Sequence, residues 1–286
     1  MENISFKSSV LALGFTPDGA LRVAETGGVL THVDVSSGKA TASFRFKKAE
    51  LPKASFSRDG RRLAYGGEKR LVVVDAATGD VLVEHKVPPK QCVASVQWTR
   101  DGRLLAVLRV ALAGGVGCVV LFDDSGRELD RLPIPNFLCN GRAALCGDIV
   151  HIDADGHGLH AFSLKDRTTK PSFVALAPPR ELAETSKGTL VLANEEVLLV
   201  QGDLGKPKRV PSVTGRDCLT ASSAGADLFI VFSGNVLANK VVVFGLDGKT
   251  RAKVDVSEMS YSCIAASAGT IALAQLREVS LLQISQ

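Results

Sequence analysis

Residues 54–87 read ASFSRDGRRLAYGGEKRLVVVDAATGDVLVEHKV. The stretch divides into four short strands, Ala54–Ser57, Arg62–Tyr65, Leu71–Asp75 and Val81–Val87. Between them lie Arg58-Asp59-Gly60, Gly66-Gly67-Glu68-Lys69 and Ala77-Thr78-Gly79-Asp80. Valine and leucine fill the strands, while glycine and aspartate fill the turns, where tight hairpins need unusual backbone angles. Four strands joined by short turns make one antiparallel sheet.

The unit recurs along the chain. Its first turn is followed through Pro17-Asp18-Gly19, Arg58-Asp59-Gly60, Arg100-Asp101-Gly102, Cys146-Gly147-Asp148, Ser186-Lys187-Gly188, Ala224-Gly225-Ala226 and Ala268-Gly269-Thr270. Gly19 to Gly269 is 250 residues in six steps, about 42 per step, the period of a four-stranded propeller blade. A second turn series runs through Gly38, Gly79, Gly126, Asp166, Gly205 and Gly248, each after a hydrophobic strand. Seven copies of the first turn and six of the second leave the last blade one strand short. A spare strand, Ile4–Ser8, precedes the first unit. Pairing it with the last blade removes two exposed sheet edges and closes a ring.

The expected fold is therefore all-β: a single seven-bladed β-propeller of four-stranded antiparallel blades, closed by the N-terminal strand pairing with the last blade. The domain spans 1–286, with blades near 10–46, 54–87, 93–134, 142–176, 181–212, 218–257, and 263–286 plus 3–9. Phe56–Gly60, Trp98–Gly102 and Val74–Gly79 carry a resemblance to the WD40/YVTN-like seven-bladed propellers, of bacterial type with degenerate repeats, over essentially the whole chain. No Trp-Asp dipeptide occurs and no Gly-His pair opens a blade. The resemblance implies a fold and a general role in binding, and it names no ligand.

Bulk composition excludes several classes. The formal charge of +4 is far from the strongly basic balance of a nucleic-acid binder. The N-terminus lacks the basic start, long apolar run and cleavage site of a secretory signal. No apolar run approaches a membrane span. Six cysteines, none in a Cys-x-x-Cys pair, read as reduced thiols of a cytoplasmic protein. Aromatic residues are only 5%, so valine, leucine, alanine and isoleucine must build the core.

Function is sought in the loops that lead into each blade, which share one face with the loops after each second strand. Exposed loops carry function more often than scaffold positions. The lead-in segments hold Lys47, Lys48, Lys53, Lys86, Lys90, Arg142, Arg180 and Arg216 against Glu50, Asp217 and Glu258. Such a patch steers an acidic protein or peptide. The expected partner-binding set is Lys53, Lys90, Arg142, Arg180 and Arg216 for charge, with Phe137 and Tyr261 for apolar contact. Phe137 either stands exposed as a hot spot or tucks between blades. Leu108–Gly117 and Ser233–Asn239 are either partner-contact loops on that face or simply longer strands.

Catalytic patterns are sparse. His151-Ile152-Asp153-Ala154-Asp155-Gly156-His157 alternates potential metal ligands on one strand face, or is an ordinary turn approach. Cys92, Cys139, Cys218 and Cys263 lie near blade starts, as a ring of soft ligands or as small packing residues. No nucleophile elbow or phosphate cradle is present. Inner strands offer mainly alanine, valine and serine, with Asn140, Asn194 and Glu195 the residues left for a central metal. The reading is a non-enzymatic interaction module without cofactor, metal or membrane; a propeller enzyme or ligand-binding protein with a metal in a central channel is the alternative.

Overall fold

The computed structural model describes residues 2–46, 53–110, 117–134, 142–154, 158–166, 172–177, 179–194, 196–202, 206–214, 219–221, 228–235, 238–256, 263–267 and 269–283. The strands, in chain order, begin with β1 (Glu2–Ser5). There follow β2–β5 (Val10–Phe15, Leu21–Glu25, Val29–Asp34, Lys39–Arg45), β6–β9 (Lys53–Phe56, Arg62–Gly66, Arg70–Asp75, Val81–Lys86) and β10–β13 (Gln91–Trp98, Leu104–Val110, Gly117–Phe122, Glu128–Ile134). Next come β14–β17 (Ala143–Cys146, Ile149–Ala154, Gly158–Ser163, Ser172–Ala175) and β18–β21 (Pro179–Glu184, Thr189–Ala193, Glu196–Val200, Lys208–Thr214). The last are β22–β25 (Leu219–Ala221, Leu228–Asn235, Ala238–Gly245, Thr250–Val256) and β26–β28 (Cys263–Ser267, Thr270–Gln275, Glu278–Gln283).

Each group of four consecutive strands from β2 to β25 is a four-stranded sheet in chain order, and β1 joins β28, β27 and β26 to make another. The β1 register is antiparallel, Glu2↔Leu281 to Ser5↔Glu278. The spare strand is thus Glu2–Ser5 rather than Ile4–Ser8. Phe6 N–H still bonds the Arg277 carbonyl of the same sheet at 2.7 Å, and Lys7–Ser9 then lead to β2.

The chain packs as two compact units, one of 1–106, 121–129 and 260–286, the other of 107–120 and 130–259. In the first, sheets interdigitate pairwise. Val10, Leu13, Phe15, Leu21 and Val23 pack on Ala272, Ala274, Val279 and Leu281 of the last sheet. On the other side Leu30, Phe46 and Ala24 meet Leu63, Tyr65, Val72 and Val74. The sheets approach closely at Gly14, where an added Cβ would lie 2.6 Å from the Phe56 side chain. In the second unit, Leu159 and Val174 pack on Leu182, Val191 and Val200, and Leu190, Leu192 and Val197 on Val242 and Phe244. Small and branched aliphatic residues suit such close sheets.

Alternation of direction gives each sheet two ends. The turns after first and third strands share one, the turn end. The segment leading in and the turn after the second strand share the other, the lead-in end. Within the first unit one repeated bond aligns the lead-in ends. Val10 N–H bonds the Leu276 carbonyl at 2.6 Å and Val93 N–H the Gly67 carbonyl at 3.0 Å.

Register decides between the two readings of Ser233–Asn239: β23 and β24 stay paired to Asn235↔Ala238, so the strands extend into it. In the third sheet β11 runs to Val110 and β12 starts at Gly117, so strands take up both ends of Leu108–Gly117; residues 111–116 lie outside the described residues.

Candidate interaction surface

Of the expected partner-binding residues, Lys53, Lys90, Arg142 and Arg180 lie among the described residues; Phe137, Arg216 and Tyr261 lie outside them, as do Lys47, Lys48, Cys139, Cys218, Asn140, Asp155 and His157. Lys53 is the first residue of β6 and pairs with Gly66, so it belongs to a strand rather than a loop. Lys90 closes the Pro88-Pro89-Lys90 turn at φ 67, with Gln91 N–H bonded to the Pro88 carbonyl at 3.1 Å. Both are exposed. The Val93–Gly67 bond brings the start of β10 beside the turn that follows Gly66, so Lys53 and Lys90 share the lead-in end of adjacent sheets.

That end carries an excess of exposed cations in the first unit: Lys7, Lys53, Lys69, Lys86, Lys90 and Arg277 against Glu68 and Glu278. A third carboxylate, Glu25, is only 2% exposed and is occupied within the chain. Its Oε2 accepts Ser8 N–H at 2.9 Å and the Ser8 hydroxyl at 3.1 Å, and its Oε1 accepts the Thr31 hydroxyl at 3.4 Å. Ser8 Oγ in turn accepts Gly27 N–H at 3.0 Å. The network fixes the crossing segment after β1.

In the second unit Arg142 reaches the residue that precedes Arg180. Arg142 Nη1 lies 3.7 Å from Asp153 Oδ2 and 3.5 Å from the Pro179 carbonyl, and its own N–H reaches Asp153 Oδ1 at 3.1 Å. Glu181 is also close: burial raises its pKa, and the Arg142 charge opposes that rise. Arg142 therefore shares its charge with acids of its own chain. Arg180 is the extra residue of a bulge between Pro179↔Ala193 and Glu181↔Leu192. A bulge re-aims its side chain, and Arg180 is exposed.

The alternating His151 and Asp153 do share a face, but it is an interior one, at 0% and 1% exposure. His151 Nε2 donates to the Gly202 carbonyl at 2.9 Å, and Nδ1 meets the Thr189 hydroxyl at 2.8 Å. Both ring nitrogens are committed, which removes His151 as a ligand. Asn194 sits at the tip of the β19–β20 turn at φ 46, not on an inner strand; Glu195 lies outside the described residues. Among the described residues no three His, Cys, Asp or Glu groups converge as a metal site. Cys118 is buried and Cys92, Cys146 and Cys263 half-buried, and none of the four is in a disulfide.

At the turn end several carboxylates are bonded within their own hairpins. Asp75 Oδ1 accepts Ala77 N–H at 2.6 Å and Thr78 N–H at 3.1 Å. Bonds from Ser36 lower the pKa of Asp34, and bonds from Ser125 and Arg127 do so for Asp123. Burial pushes Asp101 up, yet Arg103 and Thr99 outweigh it and hold the carboxyl below its ordinary range. Arg22 donates to the Gly60 carbonyl of the next sheet at 2.6 Å, and its pKa is lowered by burial against the pull of Asp75, Asp18 and Asp59. Arg62 bonds the Asp124 carbonyl and pairs with its carboxylate at 3.6 Å. Histidines also tie sheet to sheet: His32 Nε2 to the Ala76 carbonyl at 2.7 Å and His85 Nε2 to the Gly126 carbonyl at 2.6 Å. Sequence reasoning missed these ties, because no local spacing marks a partner 41 or 44 residues away.

No protein-family model matches the chain, and no curated protein does. Among solved structures the chain is similar to the β-propeller domain of Cps50 (Swd1) from Myceliophteria thermophila, at 13% identity and a TM-score of 0.65, covering 100% of this chain and 99% of that one. At that identity the likeness establishes the fold alone: an all-β propeller of four-stranded antiparallel blades. Among the described residues no helix is long and apolar enough to cross a membrane.

Proposed function

We propose that the chain is a non-enzymatic interaction module, a rigid propeller that binds an acidic protein or peptide through its lead-in face. In this reading the seven four-stranded sheets are the blades of one closed domain over 1–286, with β1 completing the last. The protein then serves in the cytoplasm as a scaffold or adaptor subunit. The observation that carries the reading is the contrast in charge. Cations such as Lys53 and Lys90 are exposed at the lead-in end, while turn-end carboxylates are consumed by their own hairpins. A surface with an excess of one sign steers an oppositely charged partner and speeds encounter. Arg142 and Arg180 extend the set in the second unit, Arg142 with its charge shared with Asp153, and Arg216, Phe137 and Tyr261 belong to it by sequence.

The test is affinity capture from native lysate followed by mass spectrometry, with wild type beside the triple variant Lys53→Glu, Lys90→Glu, Arg180→Glu, both checked for folding by circular dichroism. A partner retained by wild type and lost by the variant supports the reading. Equal capture by both places the partner elsewhere and overturns the lead-in face.

A further inference from the structure

The turn between β27 and β28 has two residues, Leu276 and Arg277, because Gln275 pairs with Glu278. Leu276 stands there at φ 47, in the left-handed region where Cβ crowds the backbone and which glycine, asparagine and aspartate visit far more readily. The equivalent turn of another sheet, where Ala193 pairs with Glu196, has Asn194 at φ 46. Asparagine suits that backbone; leucine does not. Leucine gains no packing in return, since it is 70% exposed, beyond Val81, Leu82 and Leu129 at 49%, 50% and 43%. Strain that serves no packing is a mark of function.

The backbone under this side chain is held firmly. The Leu276 carbonyl accepts Val10 N–H at 2.6 Å and the Arg277 carbonyl accepts Phe6 N–H at 2.7 Å. The second bond places Lys7, next after Phe6, beside the turn. Lys7 and Arg277 are exposed. Of the two acids nearest in the strands, Glu25 is buried and bonded to Ser8 and Thr31, which leaves Glu278 as the exposed one. A firmly held apolar side chain beside two cations has the make-up of an anchor with a charged rim.

We propose that Leu276 is the apolar anchor of the lead-in face, and that its occupant is an acidic segment of a partner protein whose own apolar side chain covers it beside Lys7 and Arg277. The proposal rests on the lead-in reading above and adds to it the chemistry of the partner.

The test begins with random dodecapeptides displayed on phage and selected on the full chain. Selected peptides are then synthesised and their affinity is measured against wild type, Leu276→Gly, and the pair Lys53→Glu with Lys90→Glu. Glycine is at home at this φ, so Leu276→Gly keeps the turn and removes only the side chain. The expected result is a selected motif with Asp or Glu around one large apolar residue. Its affinity falls about tenfold or more in Leu276→Gly, on the scale of a hot-spot truncation, and falls further as salt is raised. No selected motif, a basic motif, or an acidic one that binds Leu276→Gly as well as wild type overturns the anchor. If that last peptide is still lost from the lysine pair variant, the lead-in face stands and only the anchor falls. If it binds every variant equally, both readings fall.

Discussion

The two ends of each sheet solve the same problem, a turn between antiparallel strands, with different materials. At the turn end the chain uses glycine and aspartate. Gly19, Gly60, Gly102, Gly147, Gly188 and Gly269 each take a positive φ after a first strand. Neighbouring carboxylates then close the hairpins, as Asp59 Oδ1 does with the Ser57 hydroxyl at 2.6 Å and Arg61 N–H at 3.1 Å. At the lead-in end stand the non-glycine residues of positive φ found among the described residues, Lys90, Asn194 and Leu276. The turn end ties its carboxylates into its own hairpins and places glycine at its positive φ; the lead-in end keeps a charged and a hydrophobic side chain turned outward at such angles. Sequence that is over-determined for folding and sequence with something left over thus lie at opposite ends of the same strands.

The largest effect that could break this contrast is expected at Gly60. Its φ is +63, and an added Cβ would lie 2.6 Å from the Phe15 carbonyl oxygen and 2.9 Å from its carbon. Both atoms are backbone and cannot step aside. Gly60→Val should cost about 3 kcal/mol or more, from left-handed strain and overpacking together. Gly19 has φ +86 with nothing within 4 Å of a Cβ, so Gly19→Ala should cost only about 1 kcal/mol. Urea denaturation of both decides it. Equal losses would mean that conformational freedom alone, and not close packing, governs the turn end.

Next in size is Glu25→Ala, which strands Ser8 N–H at the lead-in end and leaves the Thr31 hydroxyl with Ser43 alone. The expected cost is about 2 kcal/mol. Hydrogen exchange should rise selectively in Glu2–Ser5, because the segment that follows β1 loses its fastening. Unchanged exchange there would show that β1 is held by its pairing with β28 alone.

Leu276→Gly should act in the opposite direction and stabilise the protein by about 1 kcal/mol through relief of left-handed strain, read as a higher urea midpoint. A loss of stability instead would mean that the leucine supports the fold, and the contrast between the ends would weaken.

The smallest effect is expected at Glu181. Burial raises its pKa above the ordinary value of 4.5. The folded state then holds a proton that the unfolded chain has released, so stability falls as pH rises from the ordinary carboxylate range through the raised value, and the penalty is complete above it. Glu181→Gln should be more stable than wild type at neutral pH, with the difference vanishing in acid. Urea midpoints at both ends of that window check it. A variant less stable at neutral pH would mean that Arg142 needs Glu181 more than burial opposes it.

Much of the scaffold was legible in the residues themselves. The strands expected at Arg62–Tyr65 and Val81–Val87 appear as Arg62–Gly66 and Val81–Lys86, since glycine and aspartate mark where a strand must stop. Less legible was the start of β24, which runs over Ala238–Gly245. Backbone pairing carries the ladder through Asn239 and Lys240, which have no hydrophobic signature. The site was legible in part. Lys53 and Lys90 could be placed at the lead-in end from turn order. That Arg142 is held by Asp153, or that His151 spends both nitrogens on Thr189 and Gly202, could not. Leu276 gave no signal, because its left-handed backbone and its exposure are properties of a register and not of a motif.

By itself the sequence determined the four-strand period, the turn chemistry and the need for a strand from the N-terminus to complete the last sheet. The first two follow from interactions between residues close in the chain, which repeat because the unit repeats, and the third follows from counting those repeats. Only the tertiary structure decided which charges remain available. Glu25 meets Ser8 across 17 residues and His151 meets Gly202 across 51, and a charge or a donor is spent or offered according to such distant neighbours, which packing alone brings within reach.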